Sequence, residues 1–151
     1  MTVWRLSAAK YAASLFSGEG AKLYGGRWTP SGWPAVYCAE SRSLAVVEIL
    51  TGLDDIDRLF EQAWVLASAD IPEPCIEKPA RVPDNWRQYP HATDTQTFGA
   101  EWLQARRSAA LRVPSAVVPG EFNYLINPAH PDFKRVKIGR PEPFSFDPRL
   151  R

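Results

Sequence analysis

The chain has 151 residues, of which 45% are hydrophobic and 23% charged, with a formal net charge of +1; this is ordinary for one folded domain spanning 1–151 with its own core. The only basic clusters are "RR" at 106–107 and "FKRVKIGR" at 133–140, so direct DNA or RNA binding is not expected. No apolar run reaches the ~18 residues that cross a bilayer, and the opening "MTVWRLSAAKYAASLF" lacks the continuous apolar core of a signal peptide.

In chain order, residues 2–6 read as a first strand carrying Arg5, and "SAAKYAASLF" at 7–16 reads as a helix with Ala8, Tyr11, Ala12 and Leu15 at helical spacing. The segment "YGGRW" at 24–28 follows. Its glycine pair lets the backbone turn sharply or approach a ligand closely, and Arg27 presents a planar fork of donors suited to phosphate or carboxylate. A turn ending in a surface arginine is the plain alternative. Residues 35–39 form a second strand, where Tyr37 is either core with a satisfied hydroxyl or a face for stacking an aromatic ring.

A helix follows from a Ser41 or Ser43 cap through "LAVVEIL" to Gly52. Glu48 is its anomaly. Leu44, Ala45, Thr51 and Gly52 are its contacts at helical spacing, so no local Lys or Arg can pair with it. A helix apolar this far round is mostly buried, and a buried carboxylate without a partner costs several kcal/mol unless something distant compensates it. The alternative is a single polar face wetted by solvent.

Residues 61–71 read as a strand, and the prolines of "IPEPCIEKPARVPDNWRQYP" (72–90) as extended surface loop. A second helix is expected over 98–110, with Phe98, Trp102 and Leu103, then Ala109 and Ala110, on one face. Further strands are expected at 115–118, opened by Ser115 after a proline, at 123–126, which begins with Asn123, and at 133–138, near an edge. "PEPFSFDP" at 141–148 reads as loop. Strands and helices without regular alternation point to an α+β fold. Cys38 and Cys75 lack metal-ligand spacing and read as reduced apolar side chains of a cytoplasmic protein; His91 and His130 each lie beside proline in loops, which argues against a metal or triad site.

Together, "YGGRW", "AVYCAESRSLAVVEIL" (35–50), "LRVPSAVVPGEFNYLINPAHPDF" (111–133) and "PFSFDPRL" (143–150) resemble the RES domain, a family named for an arginine, a glutamate and a serine. The matching positions are Arg27, Glu48 and Ser115, with Tyr37 at the family's active-site tyrosine. The resemblance implies a compact α+β domain with a split, curved sheet similar to ADP-ribosyltransferase toxins. It also implies a toxin of a bacterial toxin–antitoxin module, paired with an Xre-like helix-turn-helix antitoxin and forming a homodimer. Family members deplete NAD+ by hydrolysis or phosphorolysis, with NAD+ as substrate, inorganic phosphate as a potential co-substrate and no resident cofactor or metal; some transfer ADP-ribose to a protein.

On that reading Glu48 stabilises the oxocarbenium-like ribose, Arg27 clamps pyrophosphate or ribose, Tyr37 packs against nicotinamide and Ser115 orients ribose hydroxyls or the carboxamide. Arg5, Tyr24, Trp28 and Asn123 are further candidates for contacts to the dinucleotide. Two departures stand out: Thr29 where members often have asparagine after the tryptophan, and Thr51-Gly52 where a histidine often follows the glutamate helix.

Overall fold

The computed structural model describes all residues, 1–151. Eight strands form one mixed, curled sheet: β1 (Thr2–Ala8), β2 (Val36–Ala39), β3 (Trp64–Asp70), β4 (Ile76–Glu77), β5 (Ala110–Pro114), β6 (Phe122–Ile126), β7 (Lys137–Ile138) and β8 (Glu142–Phe144). The order is β4-β5-β6-β2-β1-β3-β7, and β8 also pairs β3. Only the β4–β5 pair is parallel. β1 pairs β3 along its whole length, yet meets β2 at a single bridge, Trp4 opposite Ala39. The sheet is therefore nearly divided between β1 and β2, which is the split that the resemblance implies.

Helices α1 (Glu19–Tyr24), α2 (Arg42–Thr51) and α3 (Thr93–Ala105) complete the architecture, and no helix is long and apolar enough to cross a membrane. Alternation along β2 sorts the core into faces. Val36 and Cys38 point to one side with Val3, Ala67, Ala69, Tyr124 and Ile126, covered by Leu15 and Phe16. On the other side Ala39 packs with Leu6, Leu66, Trp64 and the Leu44 and Ala45 of α2. Tyr37 shares that second side but lies against the cluster of Trp28, Trp102, Leu103, Leu111, Val113 and Leu125 under α3. Thus α2 and α3 cover different halves of the same face, and Tyr37 lies between them.

Several elements depart from expectation. Residues 7–16 are not an α-helix: β1 runs on to Ala8, and Ala9–Ser14 form a 3-10 turn. The helix expected at 98–110 starts five residues earlier and stops where Arg106 adopts a left-handed φ of 54°. The strand expected at 115–118 is absent: these residues bend away, and the strand in this region is β5, which ends at Pro114 where its pairing with β6 stops at Phe122. Ser115 therefore begins a turn rather than opening a strand. Residues 131–135 form a 3-10 turn, leaving only Lys137–Ile138 as strand. The proline-rich stretches contribute the short strands β4 and β8, both on sheet edges, where a missing N–H is tolerated.

Candidate active site

α2 begins at Ser41, whose Oγ accepts from Leu44 N at 3.0 Å, and closes at Gly52. Only Leu44 and Ala45 are buried; Val46 through Leu50, Glu48 included, are half-buried. The expectation of a mostly buried helix fails because α2 lies on one half of the sheet and leaves its flank to a cleft.

Glu48 faces that cleft and is not without partners. Its Oε1 accepts from Asn123 Nδ2 at 2.7 Å and from Ser115 Oγ at 2.9 Å. Both donors use the same oxygen, so Oε2 has no protein partner. Ser115 is 1% exposed, and its Oγ also accepts from Val117 N at 3.2 Å and Val118 N at 3.1 Å. With one proton and two lone pairs, that hydroxyl is fully used. Ser115 thus holds Glu48 and its own turn, and is not free to orient a ribose or carboxamide. Hydrogen bonds to an ionised acceptor are the stronger kind, so the pair fixes the carboxylate's rotamer.

Arg27 lines the same recess as Glu48, with Trp28, Tyr37, Thr51, Tyr89 and Asn123, in a hollow of about 300 Å³. Neither Arg27 nor Glu48 belongs to any ion pair. Arg27 Nη1 donates to Trp86 O at 2.9 Å and Gln88 O at 2.7 Å. Two carbonyls aim the guanidinium without neutralising it, and its Nε and Nη2 donors remain for a ligand.

Tyr37 borders this recess and a neighbouring one of about 160 Å³, lined by Trp4, Arg5, Leu6, Cys38, Glu48 and Asn123. The two recesses share Tyr37, Glu48 and Asn123, which makes them lobes of one cleft. The Tyr37 hydroxyl is sunk beneath the 26–29 turn: Trp28 N donates to it at 3.1 Å, and Thr29 Oγ1 lies 2.8 Å away. Burial pushes the phenol's pKa up, against the Thr29 bond, so it stays neutral at physiological pH. Gly26 is required here by contact. A Cβ on it would lie 2.6 Å from the Tyr37 hydroxyl, while Gly25 makes the turn itself at φ 69°. The glycine pair thus serves a protein contact as well as a bend.

Arg5 lies in the split between β1 and β2, where its Nη1 donates to Tyr37 O at 2.8 Å; its Nε is buried without a partner. Trp28 differs from expectation. The residue is 2% exposed and its ring packs on Trp86 and Phe98, so the side chain is largely core although the residue borders the recess, and its backbone N–H holds the Tyr37 hydroxyl. Tyr24 is 86% exposed at the end of α1 and lines neither lobe of the cleft; it borders a separate hollow with Arg5, Tyr11 and Glu19. Thr29 was legible only as a departure from a family pattern, whereas the structure places it, fully buried, on the Tyr37 hydroxyl. Sequence reasoning missed Thr95 and Gln96 of α3, which reach the backbone of the 26–29 turn.

The RES domain family model matches residues 2–147. The chain belongs to the RES domain family. It is 38% identical over 152 residues to a protein named Toxin Res from Yersinia enterocolitica, with complete coverage of both chains. A protein of the same name from Photorhabdus laumondii is 43% identical, covering 99% of this chain and 97% of its own. A Sphingobium relative named Prs ADP-ribosylating toxin is 39% identical, covering 97% and 94%. In fold, this RES domain is similar to a chain of the M. tuberculosis MbcT–MbcA toxin–antitoxin complex, with a TM-score of 0.73 at 20% identity over 95% of this chain and 84% of that one.

Proposed function

We propose that this RES domain is the toxin of a toxin–antitoxin module and that it consumes NAD+ by breaking the nicotinamide–ribose bond. The carrying observation is Glu48: one carboxylate oxygen is tied by Ser115 and Asn123, the other has no protein partner, and the residue lines a cleft that also holds an unneutralised arginine. In NAD+ the nicotinamide is cationic while bound and leaves neutral, because the electron pair of the C–N bond moves to the ring nitrogen. No acid is needed to protonate the leaving group, whereas ordinary glycoside hydrolysis uses two carboxylates. A single oriented carboxylate is enough to stabilise the positive charge that develops on the ribose.

Glu48 Oε2 supplies that counter-charge, Arg27 holds the pyrophosphate or ribose, and the Tyr37 ring packs against nicotinamide. Asn123 and Ser115 keep the carboxylate aimed, and Arg5 offers a second guanidinium at the split. Water then adds to the ribose carbon and releases one proton to solvent, or inorganic phosphate adds through an anionic oxygen with no proton to lose. The names of the full-length relatives support the toxin role, and the toxin–antitoxin complex of the structural neighbour supports an antitoxin partner; we place an Xre-like antitoxin and a homodimer in the same reading. The Sphingobium relative's name favours a second reading, transfer of ADP-ribose to one host protein.

Chromatography of NAD+ products, with and without phosphate, separates these. Free nicotinamide from wild type without any other protein, and its loss in Glu48→Gln, is the expected result. Nicotinamide released only when cell protein is added favours transfer, and no consumption under either condition overturns both.

A further inference from the structure

The turn that carries Arg27 lies against α3, which bonds three of its four carbonyls and packs on the fourth. Gln96 Nε2 donates to Gly26 O at 3.0 Å and reaches Thr29 O at 3.5 Å. Thr95 Oγ1, on a side chain with no exposed surface, makes a short bond to Arg27 O and lies 3.0 Å from Ala92 O. Trp28 O sits against Gly99, where a Cβ would approach it to 1.5 Å. Residues 95, 96 and 99 share one helical face, so a single strip of α3 receives four consecutive carbonyls. The other side of the turn is held by Arg27's own guanidinium on Trp86 and Gln88. Trp28 N and Thr29 Oγ1 leave the same turn toward the Tyr37 hydroxyl.

We propose that Thr95 and Gln96 are positioning residues for substrate binding: they fix the 26–29 turn and so aim the Arg27 guanidinium into the cleft. Neither lines a recess that holds Arg27 or Glu48, so they act through the turn and not by touching substrate. A fork of donors is useful only at fixed geometry, and an arginine on a loosened turn binds an anion at a higher entropic cost. This rests on the NAD+ reading above.

The test compares Thr95→Val, which keeps the shape and removes the donor, Thr95→Ser, which keeps the donor, and Gln96→Met. Nicotinamide release is followed against NAD+ concentration, with thermal melting and amide exchange of the 24–30 peptide in parallel. Thr95→Val and Gln96→Met are expected to raise KM about tenfold with kcat within about twofold, and Thr95→Ser to stay near wild type. An unchanged KM in both, or a Thr95→Ser variant as impaired as Thr95→Val, overturns the proposal. If Thr95→Val fails to fold, Gln96→Met decides it. If wild type does not consume NAD+, the NAD+ reading falls by itself and exchange decides: faster exchange in Thr95→Val and Gln96→Met, restored in Thr95→Ser, upholds the grip, and unchanged exchange sinks it.

Discussion

Glu48 depends on two side chains far away in sequence, separated from it by 67 and 75 residues, and these two differ in what else they hold. Asn123 gives the carboxylate one donor, so Asn123→Ala removes orientation and little else. Ser115 also anchors the amides of Val117 and Val118, so Ser115→Ala loosens a turn as well. A hydrogen bond to a charged group contributes roughly 1.5–3 kcal/mol, equivalent to roughly 10- to 100-fold in rate if felt in the transition state. Each variant is expected to lower kcat for nicotinamide release within that range with KM little changed, and only Ser115→Ala to lower the melting temperature as well. In a double-mutant cycle the two should be non-additive, since both act through the same oxygen. Strict additivity, or a loss confined to KM, contradicts their shared role. The sequence showed that Glu48 has no local partner. It could not show which distant donors compensate it, because a contact across 67 residues leaves no periodicity.

Among the elements, α3 is where local preference and packing conflict most openly. Glycine inside a helix is about 1 kcal/mol worse than alanine, so Gly99→Ala would stabilise an isolated helix. In this fold the added methyl meets Trp28 O at 1.5 Å, a backbone atom that cannot yield without moving the whole turn. Overpacking of that kind costs about 1–3 kcal/mol or more, so the clash outweighs the propensity gain. Gly99→Ala is expected to lower stability in urea denaturation and to weaken NAD+ binding; a stabilised, fully active variant would show that α3 does not approach the turn this closely. The same logic explains which elements were legible. β1, β2 and α2 carry their own signals in alternation, a serine cap and a closing glycine, and they fall within a few residues of expectation. α1 was missed because its six residues are bounded by Gly18 and Gly25, both at positive φ, and read as turn. The start of α3 was missed because "TDTQT" is polar throughout and shows no apolar period: Thr95 and Gln96 turn inward to backbone carbonyls, while Thr93, Asp94 and Thr97 are exposed.

At the scale of the whole molecule, the α+β class and split sheet were foreseen, but the position of the split was not, since strand order is set by non-local pairing. The split has a chemical consequence. Cys38 lies on β2 beside it, facing the core shared by β1, β3 and β6. Burial pushes its thiol up from 9.0 to about 12, and the nearby Arg5 charge only partly opposes this. An unfolded chain releases that proton above about pH 9, whereas the folded chain retains it until about pH 12. The unfolded state is therefore favoured progressively across this window: stability is full below it and falls as pH rises through it. An interval of that size corresponds to about 4 kcal/mol, a large share of the 5–15 kcal/mol that typically holds a domain together. The phenols of Tyr37 and Tyr124, also pushed up by burial, add to the fall above about pH 10. Urea midpoints measured from about pH 8 to about pH 11 should decline steeply in wild type. In Cys38→Ala, less stable at neutral pH through its small cavity, the decline should be shallower and begin only where the tyrosines titrate. An equally steep decline in that variant would mean that the thiolate can reach water through the split, and that β1 and β2 separate far more readily than one bridge and the Arg5–Tyr37 bond allow.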